Sequence, residues 1–93
     1  MAKYIIELTN LAKEQLQKHK KSGKKANLNK ISKIFYDLEN NPYVGVGNPE
    51  PLKHNLSGFW SRKINLKDRI IYAVNGLRVS VEVISAMGHY SDK

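Results

Sequence analysis

An α+β fold, with two N-terminal helices packed on one face of a mainly antiparallel sheet, is predicted by three observations. Apolar residues recur every three or four positions as far as Leu38, then every second position from Leu52 onward. Glycine and proline collect between those stretches, in Asn41-Pro42 and in Gly45-Val46-Gly47-Asn48-Pro49. At 93 residues the chain is expected to form a single domain, 1–93, around one small core.

Tyr4, Ile5, Ile6 and Leu8 make a short β-prone start, and Thr9 or Asn10 can cap a helix carrying Leu11, Ala12 and Leu16 on one side. Gly23 is its natural stop. Leu28, Ile31, Ile34, Phe35 and Leu38 predict a second helix over 28–38, ended by Asn41-Pro42 because proline disfavours helical geometry in the preceding residue. Strands are expected over 59–64, 69–74 and 77–87. Asn75-Gly76 between the last two suggests a two-residue hairpin turn with positive φ angles. That turn would set Val74 opposite Leu77, Tyr72 opposite Val79 and Ile70 opposite Val81, an apolar face for the helices to cover. On the reverse face it would set Arg69 opposite Glu82, Ile71 beside Ser80 and Ala73 beside Arg78. No internal repeat or low-complexity segment stands out.

Sixteen Lys and Arg oppose eight Asp and Glu, a net charge of +8 that favours polyanion partners such as nucleic acid. Between Lys13 and Lys33 eight lysines face one acid, Glu14. Such a stretch either keeps a solvated helical hairpin soluble or docks on phosphates with little sequence preference. The lack of cysteine excludes disulfides and thiolate chemistry and suits a reducing compartment. The longest apolar run, Ile70–Val74, is far below the roughly 20 residues of a membrane-spanning helix, so a cytoplasmic protein is expected.

His19, His54 and His89 are far apart and lack metal-ligand spacing, and no glycine-rich phosphate loop is present, so neither a metal nor another cofactor is expected. For a basic protein of this kind, acid–base chemistry on RNA is left, because RNA brings its own nucleophile in the 2′-hydroxyl. Glu50, held between Pro49 and Pro51, is a candidate base and equally a surface acid in a turn. Arg69 is a candidate phosphate ligand and equally a cross-strand partner of Glu82. His89, beside Tyr90, is a candidate acid and equally a solvated imidazole in a tail. Trp60, next to Phe59 on a strand, reads as core, and His54 and Asn55 read as turn or strand-end residues.

The stretch Gly47-Asn48-Pro49-Glu50-Pro51-Leu52-Lys53-His54-Asn55-Leu56-Ser57-Gly58-Phe59-Trp60-Ser61-Arg62 closely resembles the middle of the YoeB toxins, members of the RelE-like superfamily. Asp68 to Val74 and the pair His89-Tyr90 continue the resemblance in order and spacing, so that it covers about half the chain. It implies a RelE-like microbial ribonuclease fold and a toxin that cleaves translated mRNA on the ribosome without a metal. It also implies an acidic antitoxin of the YefM type, commonly a homodimer, and no membrane partner. Residue by residue, Glu50 matches the family's general base, Arg69 its transition-state arginine, His89 its general acid and Tyr90 the aromatic that orients substrate. Lys53, Lys63 and Arg62 match supporting basic residues. Lys63 stands where the family usually has arginine, and an ammonium cannot reproduce a guanidinium's bidentate phosphate contacts. The rival reading is a non-catalytic basic module that binds nucleic acid.

Overall fold

The computed structural model describes residues 3–53, 57–76 and 80–86. Strand β1 (Ile5–Leu8) leads into helix α1 (Asn10–Ser22), and α2 (Lys25–Asn40) follows after one tight turn. Four strands complete the chain: β2 (Glu50–Pro51), β3 (Phe59–Lys63), β4 (Arg69–Asn75) and β5 (Ser80–Ser85). They form one sheet in the order β1-β5-β4-β3-β2, antiparallel except where β1 runs parallel to β5. The α+β class with two helices before a mainly antiparallel sheet is therefore as the sequence predicts.

Thr9 caps α1 through its hydroxyl, which accepts from the Ala12 N–H at 3.0 Å, and Gly23 ends the helix in the left-handed region at φ 69°. Helix α2 begins a turn earlier than its apolar residues predict and runs on to Asn40. Its first turn has no side-chain cap and is polar or solvent-facing, so periodicity registers only the buried stretch. Ala12 from α1 and Ile34 and Leu38 from α2 meet Ile70, Tyr72 and Val83 of the sheet in a closed core. Trp60 packs against that core and meets the Tyr43 ring edge-on, in keeping with its structural reading.

The β4–β5 register departs from the expected hairpin. Val74 pairs with Val81, Tyr72 with Val83 and Asn75 with Ser80, four residues further along β5 than a two-residue turn would allow. Neither Asn75 nor Gly76 takes the left-handed angles such a turn needs. β5 is also pinned from its other side by β1, through Ile6 with Val81 and Leu8 with Val83, and a bulge at Ile71/Tyr72 absorbs the remaining mismatch. From Tyr72 to Asn75 the slip is even and keeps side chains on their faces, the bulge adds one residue at Ile71, and Ile70 and Tyr72 are buried under the helices. The slip does separate Arg69 from Glu82, which lies opposite Ala73. Leu77, Arg78 and Val79, named in the expected pairing, lie outside the described residues.

Candidate active site

β2, β3 and β4 build the site on the sheet face turned away from the helices. Pairing of Glu50 with Ser61 and of Lys63 with Arg69 puts these four residues on one face, because residues opposite each other in a ladder point the same way. Arg69 Nη1 lies 3.7 Å from Glu50 Oε1 and donates to Ser61 Oγ at 3.5 Å. Side-chain exposure is 18% for Arg69 and 49% for Glu50, so the pair is open to water and adds little to stability. At 3.7 Å it is a loose contact, so a phosphate that binds Arg69 must displace the Glu50 carboxylate from it instead of fitting between the two. Arg69 therefore faces Glu50, while the register sets Glu82 opposite Ala73.

Ile71 and Ser61, both buried, form the floor beside Arg69. Lys63 is exposed at the end of β3, and Lys53 is exposed two residues beyond β2. β5 is antiparallel to β4, and its last residue, Ser85, pairs with Ile71. The chain consequently leaves β5 at the end of the sheet where Arg69 begins β4. His89 and Tyr90 follow within five residues and lie outside the described residues, as do His54 and Asn55. Among the described residues no group of three or more His, Asp or Glu side chains is placed to hold a metal ion.

Arg62 is the site residue that the structure removes from this group. It lies on the helix-facing side of β3, fully buried, between two outward-facing neighbours. Its Nε donates to the Tyr72 hydroxyl at 3.1 Å. Nη1 donates to Asp37 Oδ2 and the Val46 carbonyl, both at 3.2 Å, and Nη2 to the carbonyls of Asn41 at 3.2 Å and Val44 at 3.0 Å. A guanidinium has five N–H donors and all five are used. The supporting contact to RNA expected of Arg62 is therefore replaced by an internal one. Period-two patterning carried the signal, since Arg62 falls in phase with Trp60 and Ile64 on the buried side.

Sequence reasoning missed the rest of this cluster. Tyr72 donates its hydroxyl proton to the Pro42 carbonyl at 2.7 Å, and burial pushes its phenol above the usual value against the opposing pull of Arg62. Asp37 accepts from the Val46 N–H at 2.8 Å, and the Lys63 N–H donates to the Gly47 carbonyl at 2.6 Å. The loop from Pro42 to Gly47 is thus tied to the back of β3 and β4 just before the chain turns to present Glu50. Gly45 and Gly47 take φ of 134° and 84°, and a methyl on Gly45 would collide with the Asp37 carboxylate.

Residues 9–90 match the family model of the YoeB-like toxin of bacterial type II toxin-antitoxin systems. The chain belongs to that family. Toxin YoeB of Escherichia coli O6:H1 is 58% identical over 45 residues, 48% of this chain and 54% of that protein. The matched stretch thus spans about half the length of this curated YoeB relative. Among solved structures, the YoeB dimer from Staphylococcus aureus superposes with a TM-score of 0.78 at 31% identity, covering 96% of this chain and 100% of that one. The heterotetrameric YoeB-YefM toxin-antitoxin complex from the same organism gives a TM-score of 0.76 at 31% identity over the same shares. This YoeB-family chain has, among its described residues, no helix long and apolar enough to cross a membrane.

Proposed function

We propose that the chain is a ribosome-dependent endoribonuclease that cleaves translated mRNA by acid–base chemistry at the 2′-hydroxyl. The observation that carries this reading is the meeting of Glu50 with Arg69 across an open sheet face that Lys63 shares. Glu50 takes the 2′-hydroxyl proton as the 2′-oxygen attacks the adjacent phosphorus. Arg69, steadied by Ser61, and Lys63 face the charge that builds on the phosphoryl oxygens. His89 gives a proton to the departing 5′-oxygen, and Tyr90 stacks on a base. The products are a 2′,3′-cyclic phosphate and a 5′-hydroxyl. Glutamate is a weak base, so orientation supplies much of the acceleration, and the ribosome is the natural source of an ordered message.

The exposed lysines of α1 and α2 support an RNA partner, because no ion pair among the described residues engages them. Lys53 extends the basic rim on the β2 side. Likeness to the Staphylococcus aureus assemblies supports two partners, an acidic antitoxin of the YefM type and a second copy of the chain. A ribosomal target puts its action in the cytoplasm, where translation takes place. In this reading residues 1–93 act as one domain.

The test maps 5′ ends of RNA from a translation reaction containing the wild-type protein or Glu50→Gln. Discrete new 5′-hydroxyl ends with wild type, lost with Glu50→Gln and lost when the nucleotide before the cut carries deoxyribose, are expected. Cleavage that survives deoxyribose would refute the mechanism.

A further inference from the structure

Both backbone polar groups of Ala86 are held by one face of α1. The Ala86 N–H donates to Gln15 Oε1 at 2.7 Å, and its carbonyl accepts from His19 Nε2, also at 2.7 Å. Gln15 and His19 are four positions apart and so lie one turn above the other. Ala86 is fully buried and His19 is 3% exposed, so water cannot take over the His19 bond. A carbonyl only accepts, which fixes the His19 proton on Nε2. Ser22 steadies the same turn by donating its hydroxyl to the His19 carbonyl at 2.7 Å.

The position of this clamp is what gives it meaning. The β4–β5 ladder ends at Ile71 with Ser85, so Ala86 is the first residue that the sheet no longer holds on that side. A strand end released from its ladder ordinarily frays. Here α1 takes over, with two bonds that reach 71 and 67 residues along the chain. His89 is three residues further on. The two bonds satisfy buried backbone groups that the ladder no longer pairs, and because one is a donor and the other an acceptor on the same helix face they also fix the direction of the backbone at Ala86.

We propose that Gln15 and His19 are positioning residues, which set the course of the chain after β5 and thereby where His89 and Tyr90 reach. The catalytic half of this inference rests on the reading of His89 as the general acid.

The full chain is compared with His19→Leu and Gln15→Met, which break the clamp, and with His19→Gln and Gln15→Glu, which keep a donor and an acceptor at the same places. Three quantities are read at a temperature where circular dichroism shows each protein folded. These are the NMR order parameters of residues 87–90, ribosome affinity, and single-turnover cleavage of a translated message. The Leu and Met variants are expected to lower the order parameters and slow cleavage by about 10- to 100-fold with ribosome affinity unchanged, and the conservative pair to recover both. Gln15→Met, at a half-buried position, gives the same reading if His19→Leu fails to fold. Unchanged order parameters in the clamp-breaking variants would overturn the proposal, as would equal losses in the Leu and Gln variants. If wild type cuts no message but the order parameters still fall with the clamp, the clamp stands and the reaction falls.

Discussion

Replacing Arg62 by methionine keeps much of the side chain's length and removes all five donors, so it measures what the buried guanidinium holds together. Three loop carbonyls and the Tyr72 hydroxyl each lose a donor, and Asp37 loses its cation at 3.2 Å. Breaking a buried ion pair from one side costs about 3–5 kcal/mol. Asp37 is 24% exposed and keeps its bond from Val46, which moves the expected loss toward about 3 kcal/mol. A domain of 93 residues has a total stability of about 5–14 kcal/mol, so the variant still folds but with little in reserve. At about 4–8 °C per kcal/mol, the midpoint of thermal unfolding should fall by about 12–24 °C. Arg62→Lys keeps the charge opposite Asp37 but not the fork, and should lose about half as much. Urea unfolding followed by circular dichroism and by Trp60 fluorescence gives both values. A loss below about 1 kcal/mol for Arg62→Met, the range of exposed ion pairs, would refute the assignment of this cluster as the brace of the loop.

Tyr72→Phe should cost about 1–3 kcal/mol by leaving the Pro42 carbonyl and Arg62 Nε without their partner. It should also change the alkaline limb. A phenol raised in the folded state holds its proton more tightly there than when unfolded, so its contribution is complete below about pH 10 and is lost as pH rises through the folded value. Unfolding free energies measured from pH 8 to 12 should therefore fall more steeply for wild type than for Tyr72→Phe. Gly47→Ala, at φ 84° with its new methyl 3.0 Å from the Lys63 carbonyl, should destabilise by about 1–3 kcal/mol in the same urea assay. Changing Lys20, Lys21, Lys24 and Lys25 together to glutamine should weaken ribosome binding and reduce its log–log salt slope by about three, with unfolding midpoints little changed.

Much of the fold was legible because burial imposes a period. Leu28, Ile31, Ile34 and Leu38 could belong only to a helix with one face inside, Thr9 carries the chemistry of a helix start in its hydroxyl, and Gly23 that of a helix stop in having no side chain. The hairpin register was not legible, since it depends on β1 gripping β5 from the far side, a contact with no local trace. The same limit applied to the site. Glu50 and Arg69 stand out by type and setting, but that they face each other follows from two ladder registers meeting at Ser61 and Lys63. Glu50 lies in a strand and not in a turn, and the carboxylate across from Arg69 is that of Glu50.

Arg62 and Lys63 show how far one position can change the meaning of a cation. Both are basic, they are adjacent, and the resemblance gave both a role at the RNA. Strand geometry sends them to opposite faces. Arg62 enters a pocket of carbonyls that only a planar, five-donor group can fill, while Lys63 reaches solvent opposite Arg69. The two remain coupled through the backbone, because the Lys63 N–H holds the Gly47 carbonyl of the same loop that Arg62 grips from behind. Loosening the buried side therefore releases the segment that carries Glu50, whereas changing Lys63 alters the charge on the open face beside Arg69 and leaves that segment in place. Arginine is required at 62 by the number of acceptors it must satisfy. At 63 an ammonium suffices for charge, and only the bidentate geometry is given up.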